Sequence, residues 1–113
     1  MAARRLDTSS LFELCRHRRR RLVLECLVRS PRPRSVGDVA AAVVREECGR
    51  SLESVSSDVE TGVVCSLVHV HLPMLDDYGV VAFDHERGRV TKTDRCGQLE
   101  PYLAALEQDR SEL

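Results

Sequence analysis

The residues whose types and spacing come nearest to a chemical site are Cys65, His69 and His71. Cys65 and His69 stand four apart and share one face of a helix, a spacing usable for zinc. A structural zinc site takes four ligands, and no fourth lies close in sequence, so neither a metal nor another cofactor is expected. His71 is expected instead to pack or hydrogen-bond at the base of the hairpin that follows it. The chain has no phosphate-cradling glycine loop, no nucleophile elbow and no serine–histidine–aspartate layout. No catalytic residue is assigned, and an enzyme is not expected.

The remaining chemistry is that of positive charge meeting phosphate. Net charge is −1, yet residues 1–34 carry ten arginines against three carboxylates, while residues 35–113 carry six arginines and Lys92 against fifteen. Such asymmetry implies an acidic partner for the basic end, or pairing within the fold. Arg18, Arg19, Arg20 and Arg21 open a helix, where four cations oppose the helix dipole. Something else must therefore account for them: phosphate contact on the functional reading, or a solvated face paired with the acidic half. For the run itself the second reading is preferred. A further set of cations, Arg87, Arg89 and Lys92, follows the central apolar stretch.

These residues are positioned by a helix–strand succession between Val63 and Thr93. Val64, Val68, Leu72 and Leu75 form a stripe at helical spacing, and Gly79 offers the positive φ of a helix C-cap. Val80–Phe83 then supplies strand formers, Asp84–Gly88 a turn, and Arg89–Thr93 a second strand. Upstream, Thr8, Ser9 or Ser10 caps a short helix through Cys15, and Arg16-His17 marks a bend before a helix over Arg18–Arg29. Pro31 and Pro33 break the chain. Ser35 caps a third helix, with Asp38 three residues on, and Val36, Val39, Ala40, Val43 and Val44 make its amphipathic stripe up to Cys48-Gly49. After a polar stretch, Ser56, Ser57 or Asp58 caps the central helix, in which Pro73 predicts a kink between His69 and Pro73. Leu99–Asp109 closes the chain, with Leu99, Leu103 and Leu106 on one side. Helix, glycine, strand, tight turn, strand is the second half of a winged helix-turn-helix, and the helix opened by Ser35 stands in the place of its first helix.

That order is joined by a resemblance in the residues themselves. His71-Leu72-x-x-Leu75-x-x-x-Gly79-Val80-Val81 resembles the recognition-helix-to-wing segment of ArsR-like regulators. With His69 and Pro73 included, it is closer still to a small haloarchaeal winged-helix domain of unknown function. Ser35-Val36-x-x-Val39-Ala40 resembles the family's first helix, and Thr93-Asp94-x-x-Gly97-x-Leu99 its wing-to-last-helix junction. The resemblance spans most of residues 9–106, strongest over 69–84 and weakest over 50–62. It implies a DNA-binding transcriptional regulator, with Ser66 and His69 on the recognition helix and Arg18–Arg21, Arg87, Arg89 and Lys92 as phosphate contacts. The alternative is a protein–protein interaction or dimerisation module that keeps the fold without reading sequence. Two features favour it: carboxylates Asp58 and Glu60 at the leading end of the helix, and apolar residues on nearly all its sides. The extra apolar face is expected against the N-terminal helix around Leu11 and Phe12, or against a second subunit.

A chain of 113 residues with 42% hydrophobic content suits one domain with an aliphatic core, since only Phe12, Tyr78, Phe83 and Tyr102 are aromatic. The expected organisation is a flexible basic tail over 1–8, the domain over 9–109 and a tail over 110–113. Five cysteines without a C-x-x-C pair imply reduced thiols, and Cys15, Cys26 and Cys65 should behave as small hydrophobes. No apolar run approaches a membrane span and no signal sequence opens the chain. The expectation is a cytoplasmic homodimer with DNA as partner and no small-molecule ligand.

Overall fold

A computed structural model describes residues 5–49 and 52–112. It is mainly α-helical with a small three-stranded antiparallel sheet, the arrangement of a winged helix-turn-helix. The helices are α1 (Thr8–Cys15), α2 (Arg18–Val28), α3 (Val36–Cys48), α4 (Ser57–Ser66), α5 (Leu72–Asp77) and α6 (Glu100–Glu112). The strands are β1 (Arg34–Ser35), β2 (Val81–Asp84) and β3 (Arg89–Lys92), in the order β1-β3-β2.

Three start signals act as side-chain caps. Asp7, Ser35 and Ser56 each accept a hydrogen bond from the amide three residues on, at 2.7, 3.0 and 3.3 Å. Asp7 therefore takes the capping role expected of Thr8, Ser9 or Ser10. Leu6 is buried and its amide donates to Gln98 Oε1 at 2.7 Å. Residues 6–8 thus belong to the folded body rather than to a tail, and α6 continues past residue 109 to Glu112. The rest of the expected N-terminal tail, residues 1–4, lies outside the described residues.

The central helix ends as the glycine implies. Gly79 has φ +74°, its amide donates to Asp76 O at 2.8 Å, and the amide of Val80 donates to Leu75 O at 3.1 Å. This pair of bonds is a Schellman motif, and it turns the chain straight into β2. β2 and β3 pair in the register Val81↔Lys92 to Asp84↔Arg89. The irregularity expected between His69 and Pro73 takes the form of a π-helical turn over Leu67–His71, which links α4 to α5. Leu72 donates to Leu67 O, five residues back, and a wider turn of this kind eases the crowding that Pro73 imposes on the carbonyl four residues before it.

β1 follows directly on the break at Pro31 and Pro33, where the sequence carries no strand signal. Two residues are too few to show alternation; Arg34↔Val90 and Ser35↔Arg89 pair only because β3 is already present as an edge. The core is aliphatic, with Leu14, Leu24, Leu27, Val39, Val43, Leu67, Leu72, Leu75, Val80 and Leu99 fully buried. Burying side chains of this size contributes about 1.5–3 kcal/mol each.

Candidate nucleic-acid interface

The arginine run resolves first. Arg20 is 5% exposed, and its guanidinium donates to Glu13 O at 2.8 Å and Leu14 O at 3.4 Å. Arg21 donates to Cys15 O at 2.8 Å and Arg16 O at 3.1 Å. These are the last carbonyls of α1, which its own helical bonds leave without partners. Arg18 donates to Glu46 O at 3.3 Å, and Arg19 forks onto Glu47 with two 2.7 Å bonds, both at the end of α3. Those bonds raise the Arg19 pKa and lower that of Glu47. Burial lowers the pKa of Arg20. Four cations that oppose the dipole of their own helix thus sit at the negative ends of two others. Lys92 and Arg95 repeat the device, donating to Val28 O at 3.0 Å and Tyr78 O at 2.7 Å at the ends of α2 and α5.

The other expected contacts lie apart from the run. Arg87 and Arg89 are exposed on the β2–β3 hairpin; Arg87 Nε lies 3.9 Å from Asp84 Oδ2, and its amide donates to Asp84 Oδ1 at 3.1 Å. Ser66 is half-buried at the end of α4, and His69 is exposed on the π turn. The leading end of α4 presents Asp58, Glu60 and Thr61 to solvent. The structure therefore divides the nine candidates into three sets: cations engaged at helix ends, two exposed arginines on the hairpin, and the Ser66 and His69 side chains on the central helix. Sequence reasoning missed Arg34, which β1 brings beside β3 opposite Val90. Arg34 is exposed and lines a hollow with Glu25, Glu46 and Glu107. Its place directly ahead of the Ser35 helix cap was the only signal, and it is a faint one.

The outer face of the central helix is not buried all round. Val59 is 41% and Val70 53% exposed, and Cys65 is exposed as well. Leu11 and Phe12 do not cover this face; they line a groove with α6. Cys65 is thus no core hydrophobe, unlike the buried Cys15 and Cys96, whose thiols burial pushes up, that of Cys96 to about 11. Nor do the zinc-spaced residues converge, because Cys65 and His69 are exposed while His71 is buried. Among the described residues, no group of three or more His, Cys, Asp or Glu side chains is placed to hold a metal ion. None of the described helices is long and apolar enough to cross a membrane.

His71 occupies an unusual position. Its ring lies 4.6 Å from that of His17, whose Nδ1 accepts from Arg19 N at 3.2 Å and so caps α2. His71 Nδ1 is buried with no hydrogen-bond partner. Burial, and after it the charges of His17, Arg20 and Arg19, lower its pKa to about 4. The neutral ring therefore packs the π turn onto the α1–α2 corner.

Fold and surface define a winged-helix domain whose hairpin carries exposed cations. The chain belongs to a family described as a domain of unknown function, DUF7344, which matches residues 12–91. The match takes in α2, α3, the central helix and nearly all of the hairpin. No curated protein and no solved structure matches the chain.

Proposed function

We propose that this domain is a transcriptional regulator of the winged-helix, ArsR-like type that holds DNA by its phosphate backbone, and that it has no catalytic role. The observation that carries the reading is the exposure of Arg87 and Arg89 on a hairpin in the position of a wing. A wing touches backbone without reading sequence. The resemblance of the His69–Val81 segment to a recognition-helix-to-wing junction supports the same reading. Base discrimination by the central helix is slight, since it offers only Thr61, Ser66 and His69, and Asp58 and Glu60 repel phosphate at its leading end. Fluorescence anisotropy of labelled duplexes, begun at low salt and titrated upward, tests this. Binding that weakens with salt and varies little with sequence is expected; no binding to any duplex at low salt overturns it.

A second reading, a protein-interaction module without DNA binding, is favoured by Val59 and Val70 on the outer face of the central helix. An apolar, acidic helix face suits a protein partner better than a phosphate backbone.

A further inference from the structure

A hollow of about 280 Å³ opens between α2, α3, β1 and α6, and none of its lining residues belongs to the hairpin or to the central helix. Its walls carry three arginines, Arg29, Arg34 and Arg45, and three carboxylates, Glu25, Glu46 and Glu107. Leu22, Ala42 and Cys26 supply the remainder. Ligand sites begin at about 300 Å³, so the space suits a small metabolite.

The six charges are not equivalent. Arg29 Nη2 lies 3.9 Å from Glu107 Oε1, and Glu25 is engaged within the fold. Among the described residues, the side chains of Arg34, Arg45 and Glu46 have no hydrogen bond or ion pair, and all three are exposed. Glu46 is engaged only through its carbonyl, which accepts from Arg18. The set left over is two guanidiniums and one carboxylate. Its complement is a molecule with two carboxylates and one ammonium group. A guanidinium offers its N–H donors as a fork that matches a carboxylate, so each arginine takes one. A polyphosphate would meet three glutamates here and a polyamine three arginines. An apolar ligand would find little beyond Leu22 and Ala42 to cover it.

We propose that this hollow is a binding site for an acidic α-amino acid, glutamate or aspartate, with Arg34 and Arg45 holding its two carboxylates and Glu46 its ammonium group. This goes beyond the DNA reading and does not depend on it, because the ligand binds without a duplex. The site adjoins the hairpin through the backbone, as Arg34 of β1 pairs with Val90 of β3. Nothing in the sequence marks the three residues as a set, since β1 and α3 bring them together only in the fold.

Isothermal titration calorimetry of the full chain, under reducing conditions and at low salt, is the test. L-glutamate or L-aspartate is expected to bind saturably. Glutarate, which lacks the ammonium group, and L-glutamine, which lacks the second carboxylate, should bind about tenfold more weakly or worse. Arg34→Gln and Arg45→Gln should each weaken the amino acid by a similar factor with an unchanged far-UV CD spectrum, as both side chains are exposed. Glu46→Gln should weaken the amino acid yet leave glutarate bound as well as before or better, which a merely structural role would not do. Cys26 lines the hollow and gives an independent reading. The amino acid should slow its alkylation by N-ethylmaleimide, mapped by peptide mass spectrometry, and leave that of the exposed Cys48 and Cys65 unchanged. A chain that binds neither amino acid overturns the proposal. Binding that ignores the three substitutions overturns it equally, by placing the ligand elsewhere. Binding that glutarate or sulfate matches does so too, by reducing the hollow to a general anion site.

Discussion

The imidazole of His71 packs 4.6 Å from that of His17, tying the π turn of the central helix to the corner between α1 and α2. Facing the pair are Arg19 and Arg20 from α2 and Glu47 from α3. The His71 pKa falls from 6.5 to about 4 on folding, so the unfolded chain takes up the proton first. Above pH 6.5 the ring is neutral in both states and its contribution is whole; it is lost as pH falls from there through about 4. The full loss is on the order of 3 kcal/mol. Urea unfolding at a series of pH values should show it, and His71→Leu should flatten the decline in that window. A variant with the same decline as wild type would assign it to the carboxylates.

Arg20 should matter to stability far more than its neighbours in the run. Its guanidinium is buried on two α1 carbonyls, and removing it leaves both without a partner in the interior. Arg20→Ala should cost about 2–3 kcal/mol, read as a lower urea midpoint. Arg18→Ala, which loses one exposed 3.3 Å bond, should cost less than about 1 kcal/mol. Equal effects would mean that the α1 carbonyls find water instead.

Gly79→Ala tests the join between helix and hairpin. At φ +74° an alanine is strained, and its Cβ would stand 2.9 Å from Arg95 Nη1, which itself donates to Tyr78 O. Since that neighbour is the tip of a flexible side chain, the backbone strain dominates, at about 1–2 kcal/mol. Thermal unfolding should show a lower Tm with the native fold retained. A variant as stable as wild type would mean that the cap is not under conformational constraint.

For DNA, the hairpin and the central helix can be separated by salt. Each phosphate contact contributes about −0.9 to the slope of log affinity against log salt. Arg87→Ala with Arg89→Ala should make that slope shallower and weaken all duplexes alike, whereas Ser66→Ala and His69→Ala should change sequence preference little. A slope untouched by the hairpin substitutions, together with a preference abolished at Ser66 or His69, would make the central helix the reader.

The sequence by itself determined the winged order of elements, because each of its signals is local. Ser35 caps an amide three residues away, the valine stripe of α3 repeats within one helix, and Gly79 meets its φ requirement where it stands. Pro73 likewise announced an irregular turn, since its lost donor and crowded carbonyl lie within four residues. What tertiary structure decided depends on partners distant in sequence. The arginine run looked costly at the start of α2 until the ends of α1 and α3 were brought against it. β1 existed only once β3 offered an edge, and His71 acquired its perturbed ring from a helix corner more than fifty residues away. The all-round apolar character of the central helix gave no indication which face would remain open. That choice belonged to the packing, which set Phe12 beside α6 and left Val59 and Val70 facing solvent.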